Sequence, residues 1–341
     1  MTRFTHPRSC ASTMYNLQMR ITLANPRGFC AGVHMAVDIV DHLLDAIDDH
    51  EKIYVYHEIV HNRHVVSRLK NRGAVFVDSI AEIPEGSVVV FSAHGVSPAV
   101  RKQAEKRRLT SIDATCPLVT KVHAEAIRYD ERGWQILLIG HRDHQEVLGT
   151  TGEAPENIQI VESPSDIPHL QIIDPEKLVY LTQTTLSTDD ADVIISSLKD
   201  AFPSINAPPT DDICYATTNR QTAVRDSADD VDLVLVVGST NSSNSLRLTE
   251  ISETAGTTAY LIDDVSHLKD SWFSNIHSVL VTAGASAPEH LVTEIIEYLK
   301  EHYNGKLEAD SLVDEDMTFS MPKSLQTFLE SREVTIKGRK Q

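Results

Sequence analysis

The chain has 341 residues, is 41% hydrophobic and carries a formal charge of −18. That is enough apolar material for two or three compact domains and too little basic surface for nucleic acid or anionic membranes. No apolar run approaches the roughly 18 residues that span a bilayer, and an anionic ligand needs a local pocket because the overall field repels it.

Residues 1–18 carry Arg3, His6 and Arg8 without an apolar stretch. They read as a disordered tail or over-long start rather than a signal peptide, so a cytoplasmic chain is expected. A strand-like run after Met19 leads to Cys30, and Val33, Ala36, Val37, Val40, Leu44 and Ile47 then mark one helical face. Ile53–Tyr56 reads as a buried strand that ends in the polar loop from His57 to Asn62, which contains His61. Val88–Phe91 is a second strand, ending in Ser92, Ala93, His94 and Gly95. The next third opens with Cys116 and Pro117, a favoured first helical residue, followed by Val119, Val122 and Ala126. A strand over 136–139 leads into His141, His144, Gln145 and Glu146, and one over 178–181 leads into Thr182, Gln183, Thr184 and Thr185. Ser187 with Asp190 reads as the start of the helix that follows. In the last third, Cys214 precedes Thr218-x-x-Gln221, a capping-box pattern. Strands over 233–237 and 279–281 then end in loops containing Ser242, Ser243, Asn244 and Ser245, and Ser286.

These elements repeat. Cys116 follows Cys30 by 86 residues and Cys214 follows Cys116 by 98. Counted from the local cysteine, His61, His144 and Asn244 stand 31, 28 and 30 residues on, and His94, Thr184 and Ser286 stand 64, 68 and 72 on. Strands alternating with helices predict an α/β fold of three similar units with mainly parallel sheets. Ligands of such sheets sit beyond the carboxyl ends of the strands, where all these loops lie. Three cysteines and six loops are therefore expected to face one centre.

The four cysteines include no C-x-x-C pair, which excludes a zinc ribbon or thioredoxin motif, and a cytoplasmic location disfavours disulfides. A lone cysteine is most often a small buried hydrophobe, but Cys30, Cys116 and Cys214 each open a repeat unit; Cys10 lies outside it. Three converging thiolates could hold zinc or an iron–sulfur cluster. Structural zinc usually takes four ligands at close spacing. A 4Fe–4S cluster normally takes four cysteines, so three would leave one iron open. A helix start after each cysteine favours its thiolate form.

Among sixteen histidines, His34, His42, His50, His123, His169, His267 and His277 are read as ordinary structural or solvated residues. His61, His94 and His144 occupy equivalent loops. With Thr185, Ser242, Asn244 and Ser286 they offer hydrogen bonds with little fixed charge, which suits a phosphate or diphosphate beside helix N-termini. Neither a Walker A motif nor a dinucleotide fingerprint is present. Glu146 reads equally well as a proton donor or relay and as a carboxylate favoured by a helix N-terminus.

The segments ANPRGFCAGV at 24–33, HEIVHNR at 57–63, FSAHGVS at 91–97, DATCPLVTKVH at 113–123, TQTTLS at 182–187, DDICYATTNRQ at 211–221, NSSNS at 241–245 and TAGASAP at 282–288 resemble the LytB-type 4-hydroxy-3-methylbut-2-enyl diphosphate reductases. The resemblance runs in one order over about 19–322. It implies a trefoil of three α/β domains around one 4Fe–4S cluster held by Cys30, Cys116 and Cys214. It also implies substrate binding by His61, His94 and His144, and diphosphate binding by Ser242, Ser243, Asn244 and Ser286. Glu146 would be the acid and Thr184 would stand near the substrate hydroxyl. The implied reaction is the last step of non-mevalonate isoprenoid precursor synthesis: two electrons and two protons remove the hydroxyl as water, giving isopentenyl and dimethylallyl diphosphates. A flavodoxin or ferredoxin would supply the electrons. Arg101, Lys102, Lys106, Arg107 and Arg108 could dock it, or form a solvated helix face. Domains are expected at 32–116, 117–213 and 19–31 plus 214–322, with a C-terminal tail at 323–341. Two departures from the family pattern stand out: Gln145, where proline is frequent, and His34, where an acidic residue is usual. The alternatives are an iron–sulfur hydro-lyase, which needs no electron donor, and a non-catalytic iron–sulfur sensor.

Overall fold

A computed structural model of the chain describes residues 18–48, 50–308 and 315–332; the expected tail at 1–18, with Cys10, lies almost wholly outside the described residues. After β1 (Arg20–Leu23), the first third holds α1 (Ala31–Ala46), β2 (Ile53–Tyr56), α2 (Arg63–Asn71), β3 (Val75–Val77), β4 (Val88–Phe91), α3 (Pro98–Lys106) and β5 (Thr110–Asp113). The second holds α4 (Pro117–Glu131), β6 (Gln135–Ile139), α5 (Gln145–Thr151), β7 (Ile158–Val161), β8 (Leu178–Thr182) and α6 (Thr188–Ala201). The last holds α7 (Tyr215–Ala228), β9 (Leu233–Val237), α8 (Ser243–Thr254), β10 (Thr258–Ile262), β11 (Ser278–Ala283), α9 (Glu289–Tyr303), β12 (Lys306–Leu307) and α10 (Lys323–Glu330).

The strands form three sheets, ordered β3-β2-β4-β5, β7-β6-β8 and β10-β9-β11-β1-β12, and the strand pairings within them are parallel. The expected α/β architecture is present. In every sheet the two strands expected to carry polar loops are hydrogen-bonded neighbours: β2 with β4, β6 with β8, β9 with β11. Neighbouring parallel strands end on the same side, so each sheet delivers two loops to one place. Helices cover both faces of these strands, which is why runs such as Leu233–Val237 are apolar throughout and buried residue by residue. β1 precedes the first sheet in sequence yet lies between β11 and β12 in the third.

Local chemistry sets the helix starts. Asn62 caps α2, its Oδ1 accepting from the N–H groups of His64 and Val65. Pro117 opens α4, and Ser187 caps α6 by accepting from Asp190 N–H. One expectation needs correction. Thr218 does not cap a helix; it lies inside α7, which Cys214 caps, the sulfur accepting from Thr217 N–H at 3.4 Å. Gln221 instead donates to Leu186 O and accepts from Thr188 N–H, tying α7 to the start of α6. The segment from 323, expected as a tail, begins with α10, whose Leu325, Phe328 and Leu329 complete the core of the first sheet beside α1. Burying a leucine of this kind contributes about 1.5–3 kcal/mol. Among the described residues, no helix is long and apolar enough to cross a membrane.

Candidate active site

Each of the three repeat cysteines caps a helix: Cys30 before α1, Cys116 before α4 and Cys214 before α7. All three are free thiols that line one cavity of about 680 Å³, part of it open to solvent, a size usual for small-ligand sites. A Cβ built on Gly32 would lie 2.6 Å from Cys116 Sγ and 3.9 Å from Cys30 Sγ, so only glycine leaves the space between these two sulfurs free. Burial pushes the Cys116 thiol up to about 12, the Cys30 sulfur adding to the shift. Burial also pushes Cys214 up to about 11, against the hydrogen bonds from Thr217. Left alone, these sulfurs keep their protons; a bound metal supplies the positive charge that displaces them.

Among the described residues, no three His, Cys, Asp or Glu side chains converge tightly enough to hold a single metal ion. A mononuclear zinc site, with Zn–S bonds of about 2.3 Å, therefore does not suit the thiols. A polynuclear cluster would ask less convergence of them, because each thiolate would bind a different iron.

Above the thiols, three imidazoles form one wall. His61 follows β2, His94 follows β4 and His144 follows β6. The rings of His61 and His94 stack at 4.0 Å between centroids, and His144 stands edge-on to them at 5.4 and 5.9 Å. Burial holds His94 well below the usual imidazole range and His144 down to about 3, with repulsion from neighbouring rings adding to it. The rings of His94 and His144 are therefore neutral near pH 7. His144 Nδ1 accepts from Glu146 N–H at 3.2 Å, which leaves its proton on Nε2. His61 Nδ1 lies 3.2 Å from Glu58 Oε2, and Asn241 donates to the same oxygen at 2.7 Å. The bonds from His61 and Asn241 hold Glu58 below the usual carboxylate range, so Glu58 keeps the His61 proton on Nδ1.

Glu146 sits in the first turn of α5 but is buried and faces β8. Its Oε1 accepts from Thr184 N–H at 2.6 Å and its Oε2 from Thr184 Oγ1 at 2.9 Å. Burial nonetheless pushes its pKa up to about 7, where a carboxyl group can both hold and release a proton at neutral pH. Attraction to the helix end alone does not require this burial.

The third sheet supplies hydrogen-bond donors. Ser242 caps α8, accepting from Ser245 N–H. Ser243 Oγ donates to Thr185 O at 3.4 Å and Ser286 Oγ to His61 O at 2.9 Å, while Thr185 Oγ1 accepts from Gln183 Nε2. Asn244 Oδ1 accepts from Ala285 N–H, and its Nδ2 is buried with no partner among the described residues. Ser242, Ser243 and Asn244 line the cavity where α8 begins, so the positive end of that helix and an idle amide face the same space.

All thirteen residues singled out from the sequence line this one cavity. Sequence reasoning missed Gly32, Thr217, Glu58 and Asn241. The HEIVH spacing of Glu58 to His61 was a visible signal for one of these; the others depend on chain segments far apart in sequence.

The family described as LytB protein matches residues 21–300. The chain belongs to the LytB family. It is 53% identical over 310 residues to the 4-hydroxy-3-methylbut-2-enyl diphosphate reductase of Rhodopirellula baltica, covering 91% of this chain and 97% of the relative. It is 52% identical over 311 residues to the enzyme of that name from Aliivibrio fischeri, covering 90% and 98%. The structure of the E-1-hydroxy-2-methyl-but-2-enyl-4-diphosphate reductase from Plasmodium falciparum superposes with a TM-score of 0.86 at 38% identity, covering 93% of this chain and 99% of that one. Within this LytB chain, Gln145, expected from the resemblance to be a departure, is the first residue of α5. His34 lies exposed on α1, with its ring edge-on to Phe29.

Proposed function

We propose that this chain is a 4-hydroxy-3-methylbut-2-enyl diphosphate reductase, which removes the hydroxyl of the (E)-isomer with two electrons and two protons and releases isopentenyl and dimethylallyl diphosphates. The observation that carries the reading is the union, in one cavity, of three thiols at helix starts, a buried carboxyl group poised near neutrality and a set of uncharged donors. Cys30, Cys116 and Cys214 would hold a 4Fe–4S cluster, which when bound supplies electrons and an acidic iron for an oxygen ligand.

In this reading Glu146 keeps a proton close to the leaving hydroxyl, and Thr184 orients its carboxyl and can pass the proton through Oγ1. The diphosphate lies at the start of α8, taking hydrogen bonds from Ser242, Ser243, Asn244, Ser286 and Thr185. The neutral imidazoles of His94 and His144 admit the substrate without charge, and the arriving anion favours their protonation, so binding strengthens their hold. Val33, Val60, Leu118 and Val119 line the same cavity and would limit water around the allyl fragment. Within the bounds expected from the sequence, each domain would contribute two loops, with Cys116 coming from the first domain and Cys30 and Cys214 from the third.

The electron donor would be a flavodoxin or ferredoxin in the cytoplasm, where thiols stay reduced. On the α3 face, Arg101 lies near Asp113 and Glu153 and Arg107 donates to Ile83 O. Lys102, Lys106 and Arg108 are exposed and available to an acidic partner. The test is turnover of the hydroxymethylbutenyl diphosphate by anaerobically reconstituted protein with and without reductant. Strictly reductant-dependent release of both products is expected; turnover without reductant would point to a hydro-lyase, and none at all to a sensor.

A further inference from the structure

Arg220 is the largest fully buried side chain in the described molecule, and the reaction proposed above does not use it. Its Nε and Nη2 donate to Gly28 O at 3.0 and 2.8 Å, its Nη1 donates to Ala216 O at 2.9 Å, and it pairs with Glu315 at 3.1 Å. Nη2 also reaches Phe29 O at 3.4 Å. Asn219 holds the same carboxylate from the side at 2.9 Å. One turn earlier, Tyr215 OH accepts from Ala31 N–H at 3.3 Å. The helix that Cys214 caps thus grips the backbone on both sides of Cys30. From the opposite side, Ala283 O and Ala285 O accept from Gly28 N–H and Cys30 N–H.

Burying a guanidinium is expensive unless its charge is used, and apolar replacements of buried ion pairs are often as stable. Two features indicate a use here. The planar fork matches adjacent carbonyls in a way a lysine cannot. The loop it grips also presents Cys30, one of the three sulfurs that line the cavity. A fixed cation beneath that loop favours each added negative charge, and Glu315 tempers the effect.

We propose that Arg220 is a positioning residue that fixes Cys30 relative to Cys214, and that its charge, tempered by Glu315, sets how readily the group held by those thiols accepts an electron. This rests on the reading that Cys30, Cys116 and Cys214 hold an iron–sulfur cluster.

The experiment reconstitutes the full chain anaerobically with iron and sulfide. It reads iron per chain, the reduction midpoint by spin resonance and the melting of the apoprotein, for wild type, Glu315→Gln and Arg220→Lys. Glu315→Gln retains a hydrogen-bond acceptor for Arg220. It should load iron like wild type and shift the midpoint upward, because the guanidinium is no longer offset. Arg220→Lys should lose at least half of the bound iron while its apoprotein still melts cooperatively. A Glu315→Gln midpoint equal to wild type overturns the electrostatic role even if Arg220→Lys does not fold, and Arg220→Lys loading iron fully overturns the positioning role. Wild-type protein that takes up no iron overturns the cluster reading itself, a failure the variants cannot imitate.

Discussion

On the second-sheet side of the cavity Glu146 has both carboxylate oxygens occupied by Thr184, whereas on the third-sheet side Asn244 has a buried amide nitrogen with no partner among the described residues. The first arrangement is closed: its hydrogen bonds are internal, and burial has set the proton affinity before any ligand arrives. The second is open: a buried donor is left idle, an unfavourable state that an incoming acceptor relieves. A chemical group must be fixed in advance, while a binding group gains most from bonds made only on binding. Cys116 and Cys214 share both characters, fixed at helix starts yet pushed by burial towards a protonated form that a metal must displace.

The contrast can be broken at several points. Cys214→Ser should have the largest effect, abolishing both metal uptake and turnover, measured as iron per chain and product formed. Glu146→Gln should leave iron unchanged and lower kcat by about 10²–10⁴, the usual worth of a positioned acid; a loss in KM alone would place Glu146 among the binding groups. Asn244→Ala should act mainly on KM, lowering kcat/KM by roughly 5- to 150-fold, the equivalent of a lost buried hydrogen bond of about 1–3 kcal/mol.

pH sharpens the same comparison. Glu146 has its folded-state pKa raised to about 7 from an ordinary 4.5. The stability it contributes is full below the ordinary value and is lost as pH rises through about 7. Activity that needs its proton falls over the same window. kcat/KM of the wild type should therefore decline up to tenfold per pH unit above about 7, and Glu146→Gln should lack that limb and melt with less dependence on pH between about 5 and 8. Least affected should be Lys102→Glu with Lys106→Glu, which would slow reduction by an acidic donor no more than about tenfold, and less at high salt.

Much of this was legible because the signals are local. A cysteine between a strand-like run and a helical pattern becomes a helix cap, and a five-residue apolar run such as Leu233–Val237 becomes a buried parallel strand. Adjacent strand pairing then brings the loops together. The illegible parts depend on distant chain. Thr218 and Gln221 have the letters of a capping box, but Cys214 took the cap. α10 lacked a signal because Leu325 and Phe328 gain their burial from α1, far away in sequence. His123, expected to be an ordinary histidine, is buried against Gly95 and Gly149 with Glu153 on Nδ1, a contact that only the fold creates. Arg220 would pass for a solvated helix residue until the Cys30 loop is seen lying on it.

The most direct measurement is the iron and acid-labile sulfide content of anaerobically reconstituted wild-type protein beside its three single cysteine-to-serine variants at 30, 116 and 214. The account predicts about four irons per wild-type chain and a marked loss in every variant. Wild-type protein without iron, or a variant that keeps its full complement, would contradict it.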